Sequence, residues 1–86
     1  MVGCDLSQAR LEQSDLADCD LRQALLFQAA LRGTSLLRGD LRRARLLDTD
    51  LHRADVRQAD LREVVWRPRT SRGLIYDHST RWFSPR

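Results

Sequence analysis

An aliphatic residue recurs at every fifth position along most of this chain. The series runs without a gap through Leu6, Leu11, Leu16, Leu21, Leu26, Leu31, Leu36, Leu41, Leu46, Leu51, Val56 and Leu61. A small side chain, such as Cys4 or Ala9, lies two residues before each of them. Self-similarity at one fixed period is typical of repeat architectures, in which short units stack on one another.

A period of five is incompatible with an amphipathic helix or a flat strand. Five residues advance an α-helix by about 140° beyond a full turn, which scatters the leucines around its surface. In a flat strand, an odd period sends successive leucines to opposite faces. Each repeat must therefore bend, and polar residues such as Gln8 and Gln13 mark the bend two positions after each aliphatic residue. The pattern predicts an all-β solenoid with small and aliphatic side chains inside.

The repeats resemble those of the pentapeptide-repeat family, as in Ala54-Asp55-Val56-Arg57-Gln58 and the five residues that follow. This resemblance implies a right-handed quadrilateral β-helix with four repeats in each coil. A coil would then contain about 20 residues, and Asp-Leu-Arg does recur at residues 20–22, 40–42 and 60–62. We therefore expect about three coils over residues 4–66.

Residues 67–86 are predicted to form a C-terminal linker and capping tail. Trp66 is larger than the leucines of the predicted core, and Pro68 cannot donate a hydrogen bond to a strand ladder. Both features indicate that the solenoid ends near here, with residues 67–72 as the linker. The apolar clusters 74–76 and 82–83 would then shield the last coil, as solenoid ends require.

One side of the predicted solenoid carries apolar side chains that point outward. Stacking every twentieth residue brings together Leu25, Phe27, Arg45, Leu47 and Val65, which we take as the candidate interaction face. Exposed apolar clusters of this kind mark contact sites. Either the tail folds back over this face, or another protein or a second copy covers it. The uncovered strand edge of the first coil is a second place where two copies could meet.

The charge of the chain is concentrated in the tail. All 15 basic residues are Arg and the net charge is +3, yet residues 1–66 have a net charge of −1. Residues 67–86 have a net charge of +4 and contain a candidate basic tail formed by Arg67, Arg69, Arg72, Arg81 and Arg86. Nucleic-acid binding through this tail is one alternative function.

The family resemblance also implies a second alternative, because one branch of the family protects DNA gyrase from quinolone drugs by imitating duplex DNA. Such mimicry by a gyrase- or topoisomerase-binding protein needs a long acidic surface. Residues 4–23 contain five acidic residues and two Arg, whereas residues 24–43 contain one acidic residue and four Arg. A basic band therefore interrupts any acidic stripe, and DNA mimicry is the less favoured function.

No catalytic, cofactor or metal site is expected. Asp77, His78 and Ser79 are the residue types of a catalytic triad, but consecutive side chains point apart and cannot act in series. Cys4 and Cys19 are too few for a disulfide scaffold and lack neighbouring ligands for a metal, so we expect reduced, buried thiols.

The sequence favours a non-catalytic module that binds another protein or a second copy of itself. It contains no apolar run of about 18 residues and no secretory signal pattern, so we expect a cytoplasmic protein with no membrane contact. We predict a bacterial-type structural or protein-interaction module of unidentified partner, with a homodimer as one arrangement and nucleic acid as the less favoured partner.

Overall fold

The computed structural model describes residues 2–82, which wind into a right-handed quadrilateral β-helix. Isolated parallel bridges join residues 20 positions apart on four successive sides, as in Asp5 with Leu25 and Asp20 with Asp40. Two short strands, β1 (Arg45–Leu47) and β2 (Val65–Arg67), pair in parallel on the first side. The predicted fold class is confirmed. Among the described residues, no helix is long and apolar enough to cross a membrane.

A tight turn at each corner produces the bend that the sequence requires. At the first corner, the Ala9 N–H donates a hydrogen bond to the Leu6 carbonyl oxygen over 3.0 Å, and Gln8 has a φ of 63°. An i to i+3 hydrogen bond with positive φ at the third residue is characteristic of type II turns. The same left-handed conformation recurs at Gln13, Asp18, Gln23, Gln28, Arg38, Arg43, Asp48, Arg53, Gln58 and Glu63. Since this conformation costs a non-glycine residue about 1–2 kcal/mol, packing must maintain these corners.

The core is a ladder of inward aliphatic and small side chains. Leucines of the second and third coils, such as Leu31 and Leu51, are fully buried, whereas Leu6 in the first coil is only half-buried. The first coil has no described neighbour beneath it, so its inner ring is partly open. Cys4 and Cys19 belong to this ring and are therefore half-buried rather than buried.

The strand ladder continues through residues expected to form a linker and a separate tail. The Leu51 and Arg53 N–H groups donate to the carbonyl oxygens of Thr70 and Arg72, each over 2.9 Å. Further bridges pair Asp55 with Ile75 and Asp60 with Arg81. Residues 64–82 therefore form a fourth coil stacked on the third, which corrects the expected linker at residues 67–72.

Pro68 is tolerated because of its position in this last coil. At the equivalent corner positions, the N–H groups of Gln8, Gln28 and Asp48 donate to the next coil along the axis. No described coil follows the fourth, so the N–H that proline lacks has no ladder partner to lose.

Three of the four positions in the fourth coil that correspond to core aliphatic residues hold aromatic residues, and the remaining position holds Ser71. Trp66 pairs in register with Leu46 and packs against the core. Its ring makes an edge-to-face contact with Trp82 at a centroid distance of 5.9 Å, and Trp82 makes a second such contact with Tyr76 at 5.5 Å. Trp66 thus does not end the solenoid, because no described coil above it limits the space for its side chain.

Candidate interaction surfaces of the solenoid

The apolar residues singled out in the sequence lie together on one side, which we call the first face. It comprises the outward residues of the side that begins each coil: Asp5, Ser7, Leu25, Phe27, Arg45, Leu47, Val65 and Arg67. Bridges align the first column from Asp5 to Leu25, then Arg45 and Val65, and strand pairing aligns Leu47 with Arg67. The structure thus brings all five candidate face residues onto adjacent strands.

The apolar side chains of the first face are only partly covered. Leu25, Phe27 and Leu47 are half-buried, and 41% of Val65 is exposed. Leu25 and Arg45 also help to line a shallow depression of about 440 Å³ at the edge of this face. The strip in the centre of the face is therefore accessible for contact.

The C-terminal segment, as far as residue 82, does not fold back over the first face. The fourth coil instead stacks on the end of the third, with Thr70 above Asp50, Ile75 above Asp55 and Arg81 above Asp60. The expectation that the tail covers this face is therefore wrong for residues up to 82. Residues 83–86 lie outside the described part of the chain.

Charge is ordered along the first face. Asp5 lies in the first coil, where hydrogen bonds from Ser7 lower the pKa of its carboxyl group. Arg45 and Arg67 lie in the third and fourth coils, and within the described residues neither forms an ion pair. One end of the face is therefore acidic and the other is basic, with Leu25 and Phe27 between them.

The fourth side of the solenoid, in contrast, neutralises its own charges. The Nε and Nη2 atoms of Arg22 each lie 2.8 Å from an oxygen of Asp20, and Arg42 binds Asp40 in the same way. The hydrogen bonds from Arg22 lower the pKa of Asp20 to about 2. Arg62 repeats the arrangement with Asp60. This side is a ladder of paired Asp and Arg side chains.

Comparison with known proteins identifies the family. The family model for pentapeptide repeats matches residues 4–36 and 24–62, with eight copies. The chain belongs to the pentapeptide-repeat family. Among curated proteins, none matches the chain.

Solved structures of other pentapeptide-repeat proteins are similar to this chain. A protein from the thylakoid lumen of Arabidopsis thaliana is 28% identical, with a TM-score of 0.62 over 85% of this chain and 58% of its own. Rfr23 from the cyanobacterium Cyanothece 51142 is 29% identical, with a TM-score of 0.53 over 95% of this chain and 63% of its own.

A third similar structure is QnrB1, a plasmid-mediated fluoroquinolone resistance protein. It is 22% identical, with a TM-score of 0.68 over 86% of this chain and 38% of its own. At this identity the likeness concerns the fold alone. This pentapeptide-repeat chain thus spans less than two thirds of the length of each of the three similar structures.

The pentapeptide-repeat solenoid disperses the arginines of the candidate basic tail. Arg67 lies on the first face, Arg69 and Arg72 belong to the second side, and Arg81 lies on the fourth. The Arg69 guanidinium also pairs with Asp48, with its Nε 3.3 Å from the carboxylate. Arg86 falls outside the described residues. The other four line the rim of the last coil and do not form a single patch.

Asp77 of the triad-like segment has a structural role in a turn. Its Oδ1 accepts hydrogen bonds from the Ser79 N–H at 3.0 Å and from the Gln58 N–H at 3.2 Å. Partial burial raises the pKa of Asp77, but these N–H donors outweigh that effect and lower it. The carboxylate therefore fixes the fourth coil to the third. Within residues 2–82, no group of three His, Cys, Asp or Glu residues is arranged to hold a metal ion.

Sequence reasoning predicted that apolar clusters at 74–76 and 82–83 shield the last coil, but it missed that Tyr76 and Trp82 continue the series of core positions. Tyr76 and Trp82 rank among the exposed large apolar residues, with 61% and 37% of their surface accessible. The signal was present in the five-residue register, which continues from Leu61 to Trp66 and then, two repeats later, to Tyr76.

Proposed function

We propose that this chain is a non-catalytic interaction module that binds another polypeptide through the first face. The observation that supports this proposal is the apolar strip of Leu25, Phe27 and Leu47, which the fourth coil leaves uncovered. Contiguous apolar surface on a small protein is a feature of contact sites. Phe and Arg are also enriched where partners meet, and both occur here.

The backbone beneath the first face supports the same proposal. The strand segments of the second and third coils are bonded to the coils before and after them. In the second coil, the Leu25 N–H donates to the Cys4 carbonyl oxygen over 2.9 Å and the Leu26 N–H donates to the Arg45 carbonyl oxygen over 3.0 Å. A surface held in this way loses little conformational freedom when a partner binds. Such preorganisation reduces the entropic cost of association.

The charge arrangement favours this proposal over DNA mimicry or nucleic-acid binding. Each acidic residue in the column of Asp20, Asp40 and Asp60 is neutralised by the arginine two positions later. A mimic of duplex DNA needs unpaired negative charge along its length. Gyrase protection predicts altered supercoiling and quinolone sensitivity in the presence of the protein, and we expect neither to change.

Site-specific crosslinking in the source cells tests the proposed function. A photoreactive residue replaces Phe27 in one variant and Leu37 in a control variant. Leu37 is a matched control because it is also an apolar, half-buried outward residue of the second coil, but it lies on the third side. We expect adducts with one defined polypeptide from position 27 and none from position 37. Equal adducts from both positions, or none from position 27, would contradict the proposal.

A further inference from the structure

We propose that the partner of the first face is a second copy of this chain, packed with its solenoid axis antiparallel to that of the first. This inference rests on the proposed function, because it names the partner of the same face. The order of charged and apolar side chains along the face is the observation that supports it.

The first face has opposite charges at its two ends and apolar residues in the middle. The first coil contributes Asp5, the second Leu25 and Phe27, the third Arg45 and Leu47, and the fourth Arg67. A surface of this kind is complementary to its own copy when that copy is reversed end for end. Homodimers form most often with two-fold symmetry, in which the same patch of both copies is used.

A two-fold axis parallel to the strands would bring the apolar residues of the two copies together and the acidic end of each copy against the basic end of the other. The first coil of one copy then faces the fourth coil of the other, and the second coil faces the third. Phe27 packs against Leu47 of the second copy, and symmetry repeats this contact. Asp5 then lies opposite Val65 of the second copy and diagonally across from Arg67, whose long side chain can reach its carboxylate. No described residue of its own chain supplies Arg67 with such a partner.

The parallel arrangement is electrostatically unfavourable. A two-fold axis along the solenoid would place each coil against the same coil of the second copy. Arg67 would then lie close to its own equivalent, with no acidic residue of the first face at that height. Like charges brought together at an interface oppose association and select against the wrong register.

The size of the face predicts weak association. Four strands about 4.8 Å apart span roughly 19 Å along the axis, and the solenoid is 23 Å wide. The two copies could thus bury on the order of 400 Å² each, about half the area of a standard stable interface. We therefore expect a dissociation constant between about 10 µM and about 1 mM.

Sedimentation velocity of the full chain over that concentration range, at low salt, tests the inference. The wild-type chain is expected to dimerise, Phe27→Arg to remain monomeric, and the matched Leu37→Arg control to dimerise normally. Asp5→Arg and Arg67→Asp are each expected to weaken the dimer about five-fold. The double reversal should restore wild-type association, because it exchanges the two charges across the interface. Circular dichroism checks that every variant remains folded.

Each remaining outcome contradicts a defined part of the inference. A wild-type chain that stays monomeric at about 1 mM would overturn it. A dimer that persists in Phe27→Arg would show that another surface, such as the open first coil, is used. Failure of the double reversal to rescue would overturn the antiparallel orientation. A monomeric chain that still crosslinks from position 27 to a different protein would overturn only the second-copy partner and leave the proposed function intact.

Discussion

The Thr80 hydroxyl donates a hydrogen bond to the Val56 carbonyl oxygen, 24 residues earlier in the chain and 3.0 Å away. Thr49 makes the same bond to Leu26 over 2.6 Å, but across 23 residues. The fourth coil therefore contains one extra residue between Ile75 and Arg81 and still places a threonine at the inward small position. This inward hydrogen bond shows that residues 64–82 follow the packing rule of the regular coils.

Replacing Thr49 by valine is expected to lower the free energy of unfolding by about 1–2 kcal/mol, because a buried hydrogen bond is lost while the side-chain shape is kept. Urea denaturation followed by circular dichroism measures this change. Ser35→Ala serves as the control, since Ser35 points outward on the third side, and its effect should stay within about 0.5 kcal/mol. Equal effects for both variants would show that the Thr49 hydroxyl contributes nothing to stability.

The loss of stability caused by truncating a core leucine should depend on the coil in which that leucine lies. Leu36 is fully buried in the second coil, whereas Leu16 is half-buried in the open first coil. Leu36→Ala is expected to cost about 2–5 kcal/mol and Leu16→Ala clearly less, because the cost follows the burial lost and the cavity left. The midpoints of urea unfolding, at equal m-values, compare the stabilities of the two variants. A larger loss from Leu16→Ala would indicate that the first coil is covered in solution.

Acid should destabilise the fold in the range where its paired carboxylates become protonated. Arg22 lowers the pKa of Asp20 from its ordinary value of 3.8 to about 2, and Arg42 and Arg62 lower those of Asp40 and Asp60. A lowered folded-state pKa adds stability above the unfolded value, and this stability is lost as the pH falls through the folded value.

We therefore expect the thermal unfolding midpoint to be level from neutral pH to about pH 4 and to fall between about pH 4 and pH 2. Asp20→Asn should start from a lower midpoint at neutral pH and show a shallower fall. Added salt should reduce the difference, since these pairs are partly exposed. A midpoint that is independent of pH over this interval would exclude a stabilising role for the Asp and Arg columns.

The repeating part of the fold could be predicted from the sequence because each position has one dominant role. The aliphatic series defined the core, and Gln8 and its equivalents marked the corners. The family resemblance implied the length of a coil, and the 20-residue recurrence of Asp20, Asp40 and Asp60 supported it. The same spacing placed Phe27 and Leu47 on one face. These inferences depend on the periodicity of the repeats and on the coil length that the resemblance implied, and neither requires knowledge of how the end coils pack.

The fourth coil could not be predicted in the same way because end coils obey looser rules. Trp66 and Pro68 would disrupt an internal coil. In the last described coil, no further described coil limits the space beside Trp66 or accepts a hydrogen bond from position 68. The extra residue before Thr80 also shifts the register by one, which hides the repeat in a period of five. The sequence therefore could not show whether the first face is covered, because that depends on the path of residues 64–82.

Amide hydrogen exchange by NMR on the full chain most directly tests whether residues 67–82 form a fourth coil that leaves the first face uncovered. The Leu51, Arg53 and Val56 N–H groups donate to Thr70, Arg72 and Ile75 over 2.8–2.9 Å. We predict that all three exchange as slowly as Leu31, whose N–H bonds to Asp50 within the regular coils. Rapid exchange at these three amides, with Leu31 still protected, would contradict the fourth coil.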